Sequence, residues 1–180
     1  MMTIDLPDGT GAGPRVSCHQ PPAPAFRRAT LHDAAAIIDI TTAAYAPWIP
    51  VIGREPGPMG DDVPALLADP DIEVWLAEDT GPAVGTGPAP VGLVILIPDT
   101  DHLLLHSIAV APSAQGTGLG RQLLAFTEAR AAELKLREVR LYTHVLMARN
   151  VEIYTRHGYV ETGRRIDNGF SRVFMTKRIG

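Results

Sequence analysis

Between residues 25 and 180 the apolar and polar positions change period several times, and each change marks an element. Residues 25–29 read as a short strand. Thr30, followed three residues on by Asp33, has the form of a capping box; it opens a helix through Ala36, Ile37 and Ile38 to about Tyr45, which Pro47 and Pro50 are expected to end. A loop dense in Pro and Gly follows over residues 48–61, then a short helix over 61–67. Residues 72–78 alternate in the manner of a strand and residues 91–97 form an apolar run of the buried-strand type, with residues 79–90 as a flexible connection between them. Residues 102–110 make the next strand, and Leu119, Leu123, Phe126 and Ala129 then recur at helical spacing to about Lys135. Over residues 138–145, Val139, Leu141, Thr143 and Val145 alternate with Arg140, Tyr142 and His144, which is a strand again. A helix carrying Asn150 and Tyr154 stops at Gly158, a residue suited to the position after a helix end. Two final strands, 159–165 and 170–177, flank the hairpin signal Asn168-Gly169. Residues 1–24 are rich in Gly, Pro and Asp without period and read as a mobile arm ahead of one domain over residues 25–180.

Composition narrows the class. Of 180 residues, 46% are hydrophobic and 20% charged, which is the balance of a globular domain with a substantial core. A net charge of -4 gives no electrostatic footprint for nucleic acid. The longest uninterrupted apolar stretch, residues 91–98, is too short to cross a bilayer, so no membrane partner is expected. The N-terminus carries Asp5 and Asp8 rather than a basic and apolar signal pattern, and Cys18 is the single cysteine, unable to form an intramolecular disulfide. These features fit a cytoplasmic protein.

The chemistry concentrates in Gln115-Gly116-Thr117-Gly118-Leu119-Gly120, set between an apolar strand and a helix. Glycines at alternating positions leave backbone N–H groups open at a helix start, where the helix dipole favours a phosphate-bearing ligand. A P-loop would need Lys and Ser or Thr where Arg121 and Gln122 stand, and a dinucleotide fingerprint would need glycine at position 121. The pattern Gln-x-x-Gly-x-Gly after Ile108-Ala109-Val110-Ala111-Pro112 resembles instead the acetyl-CoA loop of the GNAT superfamily of N-acetyltransferases. The stretch from Asn150 through Tyr154 to Gly158-Tyr159 is similar to that family's second block, in the same order and separation, and the resemblance runs from about Phe26 to the C-terminus. It implies an α/β fold of the GNAT type, a central, mostly antiparallel mixed sheet flanked by helices. It also implies acetyl-CoA as acyl donor and transfer of the acetyl group to a primary amine of a small molecule by direct attack in a ternary complex. Transfer to a protein N-terminus or lysine and non-catalytic acyl-CoA sensing are the alternatives, and a homodimer is left open.

By that resemblance the main-chain amides of Gln115, Gly116, Thr117, Gly118, Leu119, Gly120 and Arg121 would face the pyrophosphate, with Arg121 placed to add charge. Ile108, Ala109 and Val110 would pair with the pantetheine arm as an added strand does, and a backbone N–H near Val110 would polarise the thioester carbonyl. Asn150 and Tyr154, four apart on one helix, share a face; the amide would hold the cofactor and the phenol protonate the leaving thiolate. His106, four residues before Val110, is the candidate base, with Glu73 in reserve. Tyr45, Trp48, Met59 and Asp61 are candidates for the acceptor site. Plainer readings stand beside these: a tight turn for the glycines, a core aromatic for Tyr154, a half-buried strand residue for His106, a solvated helix residue for Arg121. His102 and His106 on one strand would lie about 13 Å apart, too far to share an ion, and no metal is expected.

Overall fold

A computed structural model describes residues 24–79 and 89–180. Residues 1–23 of the expected arm, with Cys18, and residues 80–88 of the connection over 79–90 lie outside the described residues. Seven strands form one sheet in the order β1-β2-β3-β4-β5-β7-β6. They are β1 (Ala25–Arg28), β2 (Glu73–Asp79), β3 (Ala89–Pro98), β4 (Leu103–Val110), β5 (Glu138–His144), β6 (Val160–Asp167) and β7 (Phe170–Arg178). Every neighbouring pair is antiparallel except β4 and β5, so the sheet is mixed and mostly antiparallel, as the resemblance implied. The helices are α1 (Ala34–Tyr45), α2 (Ile49–Ile52), α3 (Val63–Ala68), α4 (Leu119–Glu133) and α5 (Ala148–Arg156).

The period-two alternation of β2 and β3 sends side chains into two cores. Val74, Leu76, Leu93 and Ile95 meet Ile37 and Ile40 of α1 and Val63 of α3 on one face. Ala77, Val94 and Leu96 meet Leu119, Leu123 and Leu124 of α4 on the other, joined there by Tyr154 of α5. Fully burying one such aliphatic side chain contributes about 1.5–3 kcal/mol. At Gly92 an added Cβ would stand 3.0 Å from Leu119 Cδ2 and 3.2 Å from Ala109 O. The close approach seats the first turn of α4 directly on β3 and β4.

β4 does not keep one alternation. Ile95 pairs with Ser107 and Leu96 with Leu105, which leaves His106 as an extra residue, a β-bulge. Leu103 and Leu105 therefore point into the α4 core, whereas Ala109 points into the α1 core. At the same place β5 leaves β4: their parallel pairing covers only Leu103 to Leu105 against Val139 to Leu141. The remainder of β4 has an open edge, and that gap is the floor of the site.

Several boundaries differ from the sequence reading. α1 ends at Tyr45 as expected, yet the chain continues helically through Pro47 and Pro50: residues 46–48 form a 3-10 turn and α2 follows, ending at Gly53 with φ 81°. Proline in a first helical turn gives up an N–H that would be unpaired there in any case. The run Leu31–Ile52, 22 residues at mean hydropathy 1.4, thereby becomes long and apolar enough by length and composition to cross a membrane. The uninterrupted-stretch criterion missed it because Asp33, Asp39 and the threonines break the apolar string; Ile37, Ile40 and Thr41 pack against the sheet. The short third helix begins at Val63, capped by Asp62, whose carboxylate accepts the Ala65 N–H at 3.1 Å. The Asn168-Gly169 hairpin is formed as expected, with φ of 49° and 74°.

Candidate active site

The glycine loop divides the labour among its residues. Gly116 and Gly118 have φ of 80° and 90°, a left-handed backbone that excludes most side chains. Gly120 is helical, and a Cβ on it would meet no atom within 4 Å. It faces a cleft of about 320 Å³ lined also by Tyr45, Trp48, Ile108, Val110, Gln115, Gly116, Arg149, Asn150 and Tyr154. The turn demands glycine at two of the three positions, and the third is left for a ligand's approach. Gln115 donates its N–H to Pro112 O and Arg121 donates to Gly118 O, so those two amides are engaged, a correction to the expected set. Among the described residues no backbone carbonyl accepts from the amides of Gly116, Thr117, Gly118, Leu119 or Gly120. The side chain of Arg121 is exposed and outside the cleft, that of Leu119 is in the core, and Thr117 Oγ1 donates to Ala114 O at 2.7 Å. Gly120→Ala is expected to raise helix stability by about 1 kcal/mol while weakening coenzyme A binding by about tenfold or more. Thermal unfolding and calorimetry on the same variant separate the two effects.

Along the open edge of β4, Tyr45 Oη donates to Ile108 O at 3.1 Å and Gln115 Nε2 donates to Val110 O at 3.2 Å. In an extended strand a residue's N–H and C=O point the same way, alternating along the chain. Ile108 and Val110 thus turn their main-chain groups to the cleft. Ala109 also lines the cleft, but it pairs with Leu93 of β3 and buries its methyl beneath the sheet, so its N–H and C=O are turned to β3.

Asn150 and Tyr154 project from α5 on one face, as their spacing predicts. Together with Tyr45 they line both the cleft above and a second cavity of about 300 Å³ on its far side. Tyr154 is 8% exposed, and burial holds its phenol pKa far above the ordinary value. The group stays protonated throughout the working range.

The second cavity holds a cluster that the sequence reading only half anticipated. His106 Nε2 lies 2.9 Å from Asp61 Oδ2, and His106 Nδ1 lies 3.0 Å from the Tyr142 hydroxyl. With an ionised carboxylate at Asp61, the neutral ring carries its proton on Nε2 and accepts from Tyr142 at Nδ1. Tyr142, filed in the sequence as the polar face of a strand, is the residue that reasoning missed. Burial raises its pKa, with Arg172 acting in the opposite sense; the Arg172 guanidinium lies 3.9 Å from the Tyr142 ring centroid. Above them, Arg54 lies over Phe170 at 3.5 Å and donates to Gly169 O at 3.3 Å, tying the segment after α2 to the final hairpin. Of the expected acceptor residues, Tyr45 and Asp61 line this cavity, Trp48 lines the other, and Met59 lines neither.

Glu73 does not serve as a base. It is 7% exposed and accepts from Arg130 at 2.7 and 2.8 Å and from the Trp75 indole at 2.8 Å, a structural network away from both cavities. Burial opposes its charge, yet these partners hold its pKa below the ordinary carboxylate value. His102 precedes β4 and contacts Asp101 at 2.7 Å. Among the described residues no group of three or more His, Cys, Asp or Glu is arranged to hold a metal ion.

Comparison with known proteins bears on this geometry. Residues 70–161, just over half the chain, match the family model described as the acetyltransferase (GNAT) domain. A protein named IAA acetyltransferase from Azospirillum brasilense is 30% identical over 97 residues, 54% of this chain; the chain spans 60% of that relative's length. The solved structure of a GNAT-family protein from Desulfovibrio desulfuricans superposes with a TM-score of 0.69 at 21% identity, over 88% of this chain and 100% of that one. PaiA N-acetyltransferase from Thermoplasma acidophilum, solved in complex with coenzyme A, gives 0.66 at 16% identity over 86% and 98%. At such identities the two structures carry the fold, and the matched model carries the family. A glycine loop with open amides beside a strand that parts from its neighbour is what residues 70–161 encode, and the chain belongs to the GNAT acetyltransferase family.

Proposed function

We propose that the protein is an acetyl-CoA-dependent N-acetyltransferase acting on the primary amine of a small molecule by direct attack in a ternary complex. The observation that carries this is two cavities on either side of the β4–β5 gap, sharing Tyr45, Asn150 and Tyr154 as their common wall. Acetyl-CoA, as the acyl donor substrate, supplies the thioester. The free amides of Gly116 to Gly120 suit its pyrophosphate, with Arg149 near the same cleft, and the edge of Ile108 and Val110 suits its pantetheine arm. The N–H of Val110 is the donor nearest in kind to an oxyanion site.

On the acceptor side Tyr142 takes the proton from the attacking nitrogen while passing its own to His106 Nδ1, and Asp61 stabilises the imidazolium that forms. Tyr154 donates to the sulfur as the C–S bond breaks. His106 then returns its proton to solvent and Tyr154 regains one, so the net proton moves from amine to thiol. Burial makes outright transfer from Tyr154 steeper than from a free phenol; it also makes Tyr154 a permanent donor to the charge growing on sulfur.

A peptide acceptor would need an open groove between the segment after α2 and the final hairpin. The contact of Arg54 with Phe170 and Gly169 bridges that gap and favours a small molecule. The test is a thiol-release screen across amino acids, polyamines, aminoglycosides and peptides, paired with calorimetry. Release with free amines is expected. Release with peptides alone would reverse the substrate class, binding without release would favour a sensor, and no coenzyme uptake at millimolar levels would remove the reading altogether.

A further inference from the structure

We infer that the acceptor is a small amine bearing a carboxylate, with its nitrogen toward Tyr142 and its carboxylate toward the donors of Arg172 and His144, with the charge of Arg54 behind Phe170. The inference rests on the acetyltransferase reading above and narrows its substrate. Among the described residues lining the acceptor cavity, Asp61 supplies the carboxylate, and it is committed to His106. The positive groups gather on the other wall. Arg172 lines the cavity with a side chain only 12% exposed; Asp167 holds its Nη1 at 2.7 Å, while the guanidinium plane lies against Tyr142 and 5.7 Å from the Phe170 ring centroid.

Arg54 covers the same ring from outside, and among the described residues no carboxylate stands within ion-pair distance of it. Between them His144 lies edge-on to Phe170 at 6.3 Å and accepts the Leu146 N–H at Nδ1, which leaves the proton of the neutral ring on Nε2 as a donor. Burial, then Arg54 and Arg172, lower the pKa of His144, so both cations are felt at the ring. A neutral acceptor would leave Arg54 and the His144 Nε2–H without an anionic partner among the described residues, and Arg172 with Asp167 alone. A carboxylate matches the planar fork of an arginine and makes the stronger, charge-assisted hydrogen bonds.

The experiment is a calorimetric titration of the coenzyme A-saturated protein with ω-amino acids of graded chain length, each against its methyl ester and the plain alkylamine. The carboxylate should bind about tenfold tighter than the ester at the best length, the scale of one charge-assisted hydrogen bond. The gap should narrow with added salt. Arg54→Gln should shrink it to about threefold or less; the lost contacts with Phe170 and Gly169 O should lower the melting temperature modestly, while coenzyme uptake should not move because Arg54 lies outside the coenzyme cleft. Equal affinities at every length, or tighter esters, would overturn the inference. Because binding is read without turnover, that failure leaves the acetyltransferase reading intact. Absence of thiol release with every amine strikes that reading instead, and the binding comparison still decides the carboxylate.

Discussion

Tyr154→Phe is expected to lower kcat about a hundredfold, near 2.7 kcal/mol in the barrier, with acetyl-CoA affinity held within about twofold. The ring is buried and packs edge-on to Tyr159 at 5.9 Å, so phenylalanine keeps the packing and deletes only the donor. What is lost is stabilisation of the leaving sulfur, which exists only as the C–S bond breaks, and such a loss falls on kcat rather than on ground-state binding. An acyl donor with a better-leaving thiol should recover part of the rate. Steady-state kinetics with undiminished turnover would remove Tyr154 from the proton path.

His106→Gln should cost a similar factor and flatten the acidic limb of the kcat/KM profile. Activity that needs the unprotonated ring is lost when acid protonates it, and glutamine has no base to protonate. The arrangement of Asp61, His106 and Tyr142 sharpens this test. If proton transfer runs through Tyr142 into His106, Tyr142→Phe breaks the same path, and the double variant costs little more than the worse single one. Multiplicative losses would mean that the two side chains act separately. A superimposable pH profile for His106→Gln would take the ring out of the reaction.

The parts of the site legible in the sequence are those set by local rules. Gly116 and Gly118 announced their turn, Asn168-Gly169 its hairpin, and Asn150 and Tyr154 their shared helix face, because φ preference and helical period act within a few residues. The parts that were not legible depend on partners far along the chain. Tyr142 was an ordinary outward position until β4 brought His106 to it, 36 residues away. Arg54 acquires its place from Gly169, 115 residues on. Glu73 looked chemically free until Arg130 enclosed it. Ala109 was grouped with Ile108 and Val110 because their order was visible, whereas the directions of their main-chain groups required the register with β3.

The extra residue at position 106 acts as a dislocation between two half-strands in antiphase. Removing one residue between positions 103 and 110 would not simply shorten β4. Taking out position 106 would annihilate the dislocation and leave both halves on their present layers, because Leu105 and Ser107 would then be neighbours that ordinary alternation sends to opposite faces. The facing of the two halves is therefore independent of the defect, and what the extra residue supplies is the side chain it carries to the cavity, that of His106.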